Sequence, residues 1–308
     1  MPEITVIGSL NMDLAINAPR VPVMGETILG SGFMTAPGGK GANQAVAAAR
    51  LGGDVTMIGC VGDDIFGRNL VENLKSNGVE TRHIKTLRGF PTGVAVILIK
   101  DGNNCIIVDP GANGKLRFED IEGFEEIISR SRIAVLQLEI PLDTVERAIR
   151  AAKKHNVEVL LNPAPAVKLS DELLSMVDLL TPNETECEII TGMPIKNVED
   201  AKKAVACLNG KGIKTVAVTM GGNGVVYNDG SKIMHKPVPE VKAVDTTAAG
   251  DAFSGALAVS IAQGKDINEA TDFANIVGTL TVTKKGAQDS LPSLEDVEKF
   301  ARELKRQL

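Results

Sequence analysis

The 308-residue sequence has no tryptophan, one tyrosine and eight phenylalanines, too little for a surface that stacks nucleic-acid bases. Basic residues are also short: 33 Lys and Arg against 39 Asp and Glu give a formal charge of −6 at pH 7. A phosphate-backbone binder wants a basic footprint, so no nucleic-acid partner is expected. No run approaches the roughly 18 consecutive apolar residues of a membrane span, and no membrane partner is expected either. The four cysteines (Cys60, Cys105, Cys187 and Cys207) lack CxxC spacing, and His83, His155 and His235 form no HxxxH pair. Neither a zinc site nor a disulfide framework is expected, and reduced thiols fit a cytoplasmic protein. The first strand-like run starts at Ile4, so no signal peptide is expected.

What the sequence has in excess is glycine, 31 of 308 residues, about a tenth against a usual share of roughly 7%. Bare backbone is wanted somewhere. Short apolar runs alternate with helical patterns: strands are expected at Ile4–Gly8, Val55–Gly59, Ile133–Leu138, Val157–Leu161, Leu179–Thr181 and Thr215–Thr219. Near-continuous apolarity is the mark of strands covered on both faces. Helices are expected at Gly41–Leu51, Ile65–Asn77, Leu142–His155 and Val198–Asn209. The alternation predicts an α/β fold, a doubly wound, mostly parallel sheet flanked by helices, in one domain over 1–308. Two segments break the pattern. Residues 13–37 carry three prolines and strand-like pieces at 14–17 and 27–35. Residues 93–109 read as a hairpin turning at Asp101-Gly102-Asn103-Asn104. Together they predict a small antiparallel β-lid, for closing a cleft or for a dimer contact.

The strongest local signal is Asp245-Thr246-Thr247-Ala248-Ala249-Gly250-Asp251 before the helical run 252–262. Small residues at a helix start leave N–H groups bare, and with the helix dipole they form an anion site. Asp251 beside it suits a general base, and an ordinary helix-start residue is the plainer alternative. Pro37-Gly38-Gly39-Lys40-Gly41-Ala42-Asn43 opens an alanine-rich helix and would bring backbone and Asn43 to a small polar ligand; a simple turn is the alternative. It is not a Walker A loop, because Met34 and Gly41 stand where that motif needs Gly and Ser or Thr. Thr219-Met220-Gly221-Gly222-Asn223-Gly224 follows an apolar strand and reads as a nucleotide-backbone loop or as a tight hairpin turn. Asn183-Glu184-Thr185-Glu186 sits at a strand's carboxyl end, where α/β sheets place ligands. Its oxygens suit water-coordinated Mg²⁺, and its spacing equally suits a helix capping box.

In this order these motifs resemble the ribokinase family of PfkB-type carbohydrate kinases over essentially the whole chain. Residues 38–44 (GGKGANQ) are similar to its N-terminal signature, 245–251 (DTTAAGD) to its C-terminal one, and Asn183-x-x-Glu186 to its NxxE motif. Leu136-Gln137-Leu138-Glu139 and Asn162-Pro163-Ala164-Pro165 resemble stretches of ribokinases in particular. The resemblance implies ATP-dependent phosphorylation of D-ribose at its 5-hydroxyl. Asp251 would be the base, with the amides of Ala248, Ala249 and Gly250 as anion hole. Asn11, Asp13, Gly38, Gly39, Lys40, Asn43 and Glu139 would hold the sugar. Asn183, Glu186, Thr219, Gly221, Gly222, Gly224, Gly250 and Asn275 would bound ATP and its Mg²⁺. Asp245, Thr247, Thr281, Lys284, Gly286 and Ser290 match the family's monovalent-cation site, K⁺ being expected, with Lys284 contributing its carbonyl; a solvated basic pair is the alternative for Lys284-Lys285.

Deoxyribokinases are similar throughout but carry Met where this chain has Asn11, which implies ribose rather than 2-deoxyribose as substrate. A site built to bond a hydroxyl rejects the analogue that lacks it. The acidic charge and the lack of an extra Arg in the sugar motifs speak against a phosphorylated sugar. A non-catalytic sugar sensor would be expected to have lost Asp251 or Gly250, and both are present; a nucleoside hydrolase acting through Asp13 would want an aspartate cluster there, which is missing. The family's lids pair across a dimer, so a homodimer is expected.

Overall fold

A computed structural model describes residues 4–101 and 103–307; Gly102, in the expected hairpin turn, lies outside them. In chain order its strands are β1 (Ile4–Ile7), β2 (Asn11–Asn17), β3 (Ser31–Gly38), β4 (Val55–Gly62), β5 (Glu80–Leu87), β6 (Gly93–Lys100), β7 (Asn103–Asp109), β8 (Ile133–Leu136), β9 (Glu158–Leu161), β10 (Leu179–Leu180), β11 (Thr215–Thr219), β12 (Val225–Asn228) and β13 (Ile233–Lys236). The helices are α1 (Lys40–Arg50), α2 (Ile65–Ser76), α3 (Phe124–Ser129), α4 (Leu142–Lys154), α5 (Asp171–Ser175), α6 (Glu184–Thr191), α7 (Val198–Gly210), α8 (Ala249–Ala262), α9 (Ile267–Thr281) and α10 (Leu294–Gln307).

Nine strands form the main sheet in the order β13-β12-β11-β10-β9-β8-β1-β4-β5, parallel from β11 to β5 and antiparallel at β12 and β13. The centre is set by the all-apolar runs: β1 pairs Ile4 with Val55 on one side and Ile133 on the other, and β1, β4 and β8 are buried throughout. From β1 the chain winds first toward β4 and β5, then returns to build β8 to β11 on the other side. The direction of winding therefore switches between β1 and β8, and their carboxyl ends flank the crevice where such sheets bind ligands. Two core clusters, one on each face, are the layers that this sheet separates.

The six expected strands and four expected helices are all present, with ends shifted by a few residues. The edge strands β5 and β13 were not expected, because their polar or half-exposed runs lack the apolar stretch used as the criterion. The four-residue β12 was not expected either, although it is apolar and buried. The expected lid exists as a four-stranded sheet, β3-β2-β6-β7. Its hairpin pairings β2–β3 and β6–β7 are antiparallel, while β2 and β6 join in parallel. Strand β3 starts four residues later than the expected piece and takes in Pro37, which an edge strand tolerates.

Helix α8 is apolar nearly all round, as a helix covered on every side must be, and it packs on the small-residue face of α1. The two approach so closely that a Cβ at Gly255 would lie 2.8 Å from Ala47 Cβ and 2.8 Å from the Gln44 carbonyl. Gly255→Ala is expected to lower unfolding free energy by about 1–3 kcal/mol through overpacking. Gly210→Ala, whose Cβ would meet open space at the end of α7, is expected to be neutral or to stabilise by at most about 1 kcal/mol. Urea unfolding of both variants checks this, and equal stability of the two would refute the close contact.

Candidate active site

Asp251 lies in the first turn of α8 and is only 6% exposed. Its two oxygens are held by amides from α1: Asn43 Nδ2 donates to Oδ2 at 2.9 Å and Gln44 Nε2 to Oδ1 at 3.0 Å. Gln44 is itself fixed from behind. Its Oε1 accepts from Gln137 Nε2 at 2.6 Å, and its Nε2 also reaches Asn162 Oδ1 at 3.1 Å. Asn162 is anchored on the Thr181 carbonyl at 2.9 Å. The carboxylate thus has a fixed orientation set by residues past the ends of β8, β9 and β10. Asn43 Oδ1 is buried without a partner, an acceptor left for a ligand's hydroxyl.

The other expected sugar residues gather at the ends of β1, β2 and β8. Glu139 Oε2 accepts from the Ser9 hydroxyl, from the Lys40 N–H at 3.2 Å and, at 3.4 Å, from Asn11 Nδ2. Gly39 enters α1 at φ +90°, a conformation that spares only glycine, and so delivers that N–H. Asp13 lies on β2, paired with Ala36 and beside Gly38. Burial, helped by the charges of Glu139 and Asp251, raises the Asp13 carboxyl to about 7. Burial works against the Lys40 ammonium as well, yet Asp251, Glu139 and Glu186 outweigh it and hold its pKa above the ordinary lysine range.

On the far side of Asp251 opens a cavity of about 670 Å³. Asn183, Thr219, Gly221, Gly222, Gly224, Gly250 and Asn275, spread over 93 residues of chain, all line it. The turn at Gly221–Asn223 is the tight hairpin turn between β11 and β12, so that alternative and the cavity role coexist. His235 Nε2 donates to the Asn223 carbonyl at 2.7 Å and steadies the turn. Asn275 Nδ2 is committed to the Pro237 carbonyl at 2.9 Å; the residue tethers the 237–243 segment, whose Val238, Pro239, Val241 and Ala243 form an apolar wall. Sequence reading missed that wall, though its Pro-Val-Pro spelling was a signal. Helix α8 has no side-chain cap and starts with Ala248 in the left-handed region at φ +61°. The Ala249 N–H reaches the Thr246 carbonyl at 3.3 Å, the Gly250 and Asp251 N–H groups have no backbone partner, and Ala249 and Gly250 line the cavity.

Glu186 stands apart from the cavity lining. It closes the capping box of α6, with both oxygens on Asn183: Oε2 accepts from its N–H at 2.9 Å and Oε1 from Nδ2 at 3.0 Å. Burial raises its pKa above the usual carboxylate range. Asp245 Oδ1 accepts from the Thr247 N–H at 3.0 Å and hydroxyl at 2.7 Å, and Oδ2 accepts from the Gly286 N–H at 3.0 Å. Burial opposes its charge, but those bonds hold it below the ordinary aspartate range. The Thr281 carbonyl receives the Lys284 N–H at 3.2 Å, and the buried Ser290 donates to the Ala287 carbonyl at 2.8 Å. The Lys284 ammonium leaves this loop and faces Asp296 on α10 at 3.9 Å. Arg50, which sequence reading missed, ties the end of α1 to the same loop through the carbonyls of Gln288 at 2.7 Å and Leu291 at 2.8 Å.

The model of the family described as pfkB family carbohydrate kinase matches residues 1–294. A ribokinase of Haemophilus influenzae is 43% identical over 298 residues, covering 96% of this chain and 97% of its own. A deoxyribokinase of Salmonella typhi is 41% identical over 300 residues, covering 97% and 98%. Among solved structures, Arabidopsis thaliana ribokinase complexed with ribose and ATP superposes with a TM-score of 0.89 at 36% identity, over 97% of this chain and 98% of that one.

The raised Asp13 carboxyl makes stability depend on pH. Unfolded, this group titrates near its ordinary 3.8; folded, it keeps its proton up to about 7. Its contribution to stability is therefore complete below pH 3.8 and is lost as pH rises through 7. In the ligand-free protein Asp13→Asn is expected to raise the thermal midpoint over wild type, and to do so more at pH 8 than at pH 5. Paired melting curves at the two pH values check this; a gain no larger at pH 8 would mean that the carboxyl titrates normally.

Proposed function

Because the chain belongs to the pfkB family of carbohydrate kinases, we propose that it transfers the γ-phosphoryl group of ATP to the 5-hydroxyl of D-ribose, giving ribose 5-phosphate and ADP. The observation that carries the reading is the position of Asp251: its carboxylate is fixed by Asn43 and Gln44 between the sugar cluster and the bare helix start at the cavity mouth. In the reaction the 5-hydroxyl gives its proton to Asp251 as its oxygen bonds the γ-phosphorus, and the bond to the β-phosphate oxygen breaks with ADP leaving. Charge that develops on the transferred group is met by the amides of Ala248 and Gly250 and by the dipole of α8, the expected Ala249 amide being already engaged by the Thr246 carbonyl. Asn11, Asp13, Gly38, Gly39, Lys40, Asn43 and Glu139 hold the sugar. The nucleotide lies along Asn183, Thr219, Gly221, Gly222, Gly224 and Asn275, its base against the apolar wall.

Among the described residues no three His, Cys, Asp or Glu side chains form a metal cluster. Mg²⁺ carried by the nucleotide would be held through water, with Glu186 as the nearest motif carboxylate although it lies outside the cavity lining, and it would supply neutralisation of phosphate charge. A monovalent cation suits the second loop: Asp245 is kept ionised, and the carbonyls of Thr281, Lys284, Gly286 and Ser290, with Thr247, supply oxygens only. The exposed Phe33, Met34, Ile106 and Ile107 on the lid strands favour a homodimer paired through the lid.

Ribokinase and deoxyribokinase relatives are almost equally similar, so identity does not choose the sugar; Asn11 does, by offering a polar partner to a 2-hydroxyl. A coupled ADP-release assay with ribose, ATP, Mg²⁺ and K⁺ is expected to show turnover, with kcat/KM higher for ribose than for 2-deoxyribose. Asp251→Asn is expected to lower kcat by about 10²–10⁴-fold. Parity of the two sugars would sink the substrate assignment, and near-wild-type turnover of the variant would sink the base. Sedimentation at micromolar concentration is expected to give a dimer, with a monomer as the refuting result.

A further inference from the structure

We infer that Asn113, which lines neither the sugar cluster nor the nucleotide cavity, is a positioning residue that fixes which end of the Asn11 amide faces the sugar; the inference rests on the ribose reading above. Asn113 lies in the short helical turn Gly111–Lys115, four residues beyond the end of β7, and is 1% exposed. Its side chain spans both main-chain groups of Leu10. The Leu10 N–H donates to Asn113 Oδ1 at 2.9 Å, and Asn113 Nδ2 donates to the Leu10 carbonyl at 2.9 Å. A main-chain N–H only donates and a carbonyl only accepts, so this amide fits one way round. Its second N–H is thereby aimed at Asn11, where it donates to Oδ1 at 2.8 Å.

Asn11 has its oxygen taken in this way and must present Nδ2 on the other side. There Nδ2 makes only a long bond, 3.4 Å, to Glu139 Oε2. A ligand group between the two meets an N–H donor next to a carboxylate acceptor. A hydroxyl satisfies both at once, accepting from Nδ2 and donating to Glu139; a methylene satisfies neither. Without Asn113, only the long 3.4 Å bond to Glu139 Oε2 is left to hold the Asn11 amide this way round. Gly93, the first residue of β6, closes the pair from the lid: a Cβ there would lie 2.2 Å from Asn11 Oδ1 and 2.3 Å from Asn113 Nδ2. The root of the lid hairpin and the sugar-reading amide are thus one packed unit.

The test compares ribose with 2-deoxyribose on the same preparations of wild type, Asn113→Ala, Asn11→Ala and the double variant, so that any misfolded fraction cancels in the ratio of kcat/KM values. Asn113→Ala is expected to cut the ribose preference by at least about tenfold, one neutral hydrogen bond's worth. The loss should come from a higher ribose KM with kcat within about threefold, because the contact lies away from the reacting oxygen. Asn113→Asp, which keeps an acceptor for Leu10 but cannot donate to Asn11, should behave alike. In the Asn11→Ala background, Asn113→Ala should leave the ratio unchanged within about twofold. Equal losses for both sugars, or an unchanged ratio in Asn113→Ala, would make Asn113 merely structural and overturn the inference. A wild type with no preference for ribose overturns the reading beneath it, and that failure is visible before any variant is made.

Discussion

The arrangement depends on one buried carboxylate held at a helix start. Asp251 is welcome in the first turn of α8 because the dipole there favours negative charge, but burial demands real donors as well. Those donors are Asn43 and Gln44, which belong to α1, so the helix that carries the sugar motif is locked to the helix that carries the phosphate motif. The lock is possible because α1 presents alanines and α8 presents Gly255 at their contact. Larger residues would push the helices apart and draw the amides off the carboxylate. Close packing and catalytic geometry are therefore one constraint. Gln137 and Asn162 extend it toward the sheet, so the orientation of Asp251 is referred to the residues that immediately follow β8 and β9.

Much of this was legible in the sequence, and what was not has physical reasons. Apolar runs announced β1, β4, β8, β9 and β11, since strands covered on both faces must be apolar. The glycine and aspartate motifs announced the helix starts, because bare N–H groups have few uses. The fold brings Asn11, Asn43, Glu139 and Asp251 together as one cluster, and seven of the expected nucleotide residues around one cavity. The second layer was silent. Gln44, Asn113 and Arg50 act on partners about 100 to 240 residues away, and single polar residues carry no periodicity that betrays a distant partner. Glu186 shows the converse: its spacing from Asn183 fits both a capping box and a metal motif, and the box is present in the fold.

The lid is costly as an isolated object. Its strands β3 and β7 are exposed along most of their length, and Phe33, Met34, Ile106 and Ile107 are bare part-way along them. An open sheet of this kind presents unpaired edges and wet hydrophobic surface, which soluble proteins cover or use. Its inner end is different in kind. There Asn11, Asp13 and Gly38 of β2 and β3 sit at the sugar cluster, and Gly93 opens β6 against Asn11. One small sheet thus has a packed root, where Gly93 meets Asn11, and an exposed apolar stretch part-way along the same strands.

The charge layout also orders the reaction. Asp251, Glu139 and Glu186 act on one lysine, Lys40, and Asp13 lies close enough to Glu139 and Asp251 for their charges to raise its carboxyl, so this end of the crevice is rich in oxygen groups. Sugar hydroxyls, which need acceptors, would be favoured there, and a phosphate group would be disfavoured by the ionised carboxylates. Negative charge is met by bare N–H groups at the start of α8, beyond Asp251. On the proposed reading, a neutral acceptor sugar and an anionic donor would have separate places, with Asp251 on the border between them. The product would carry both characters at once: its hydroxyls would suit the acidic end and its new phosphate would not.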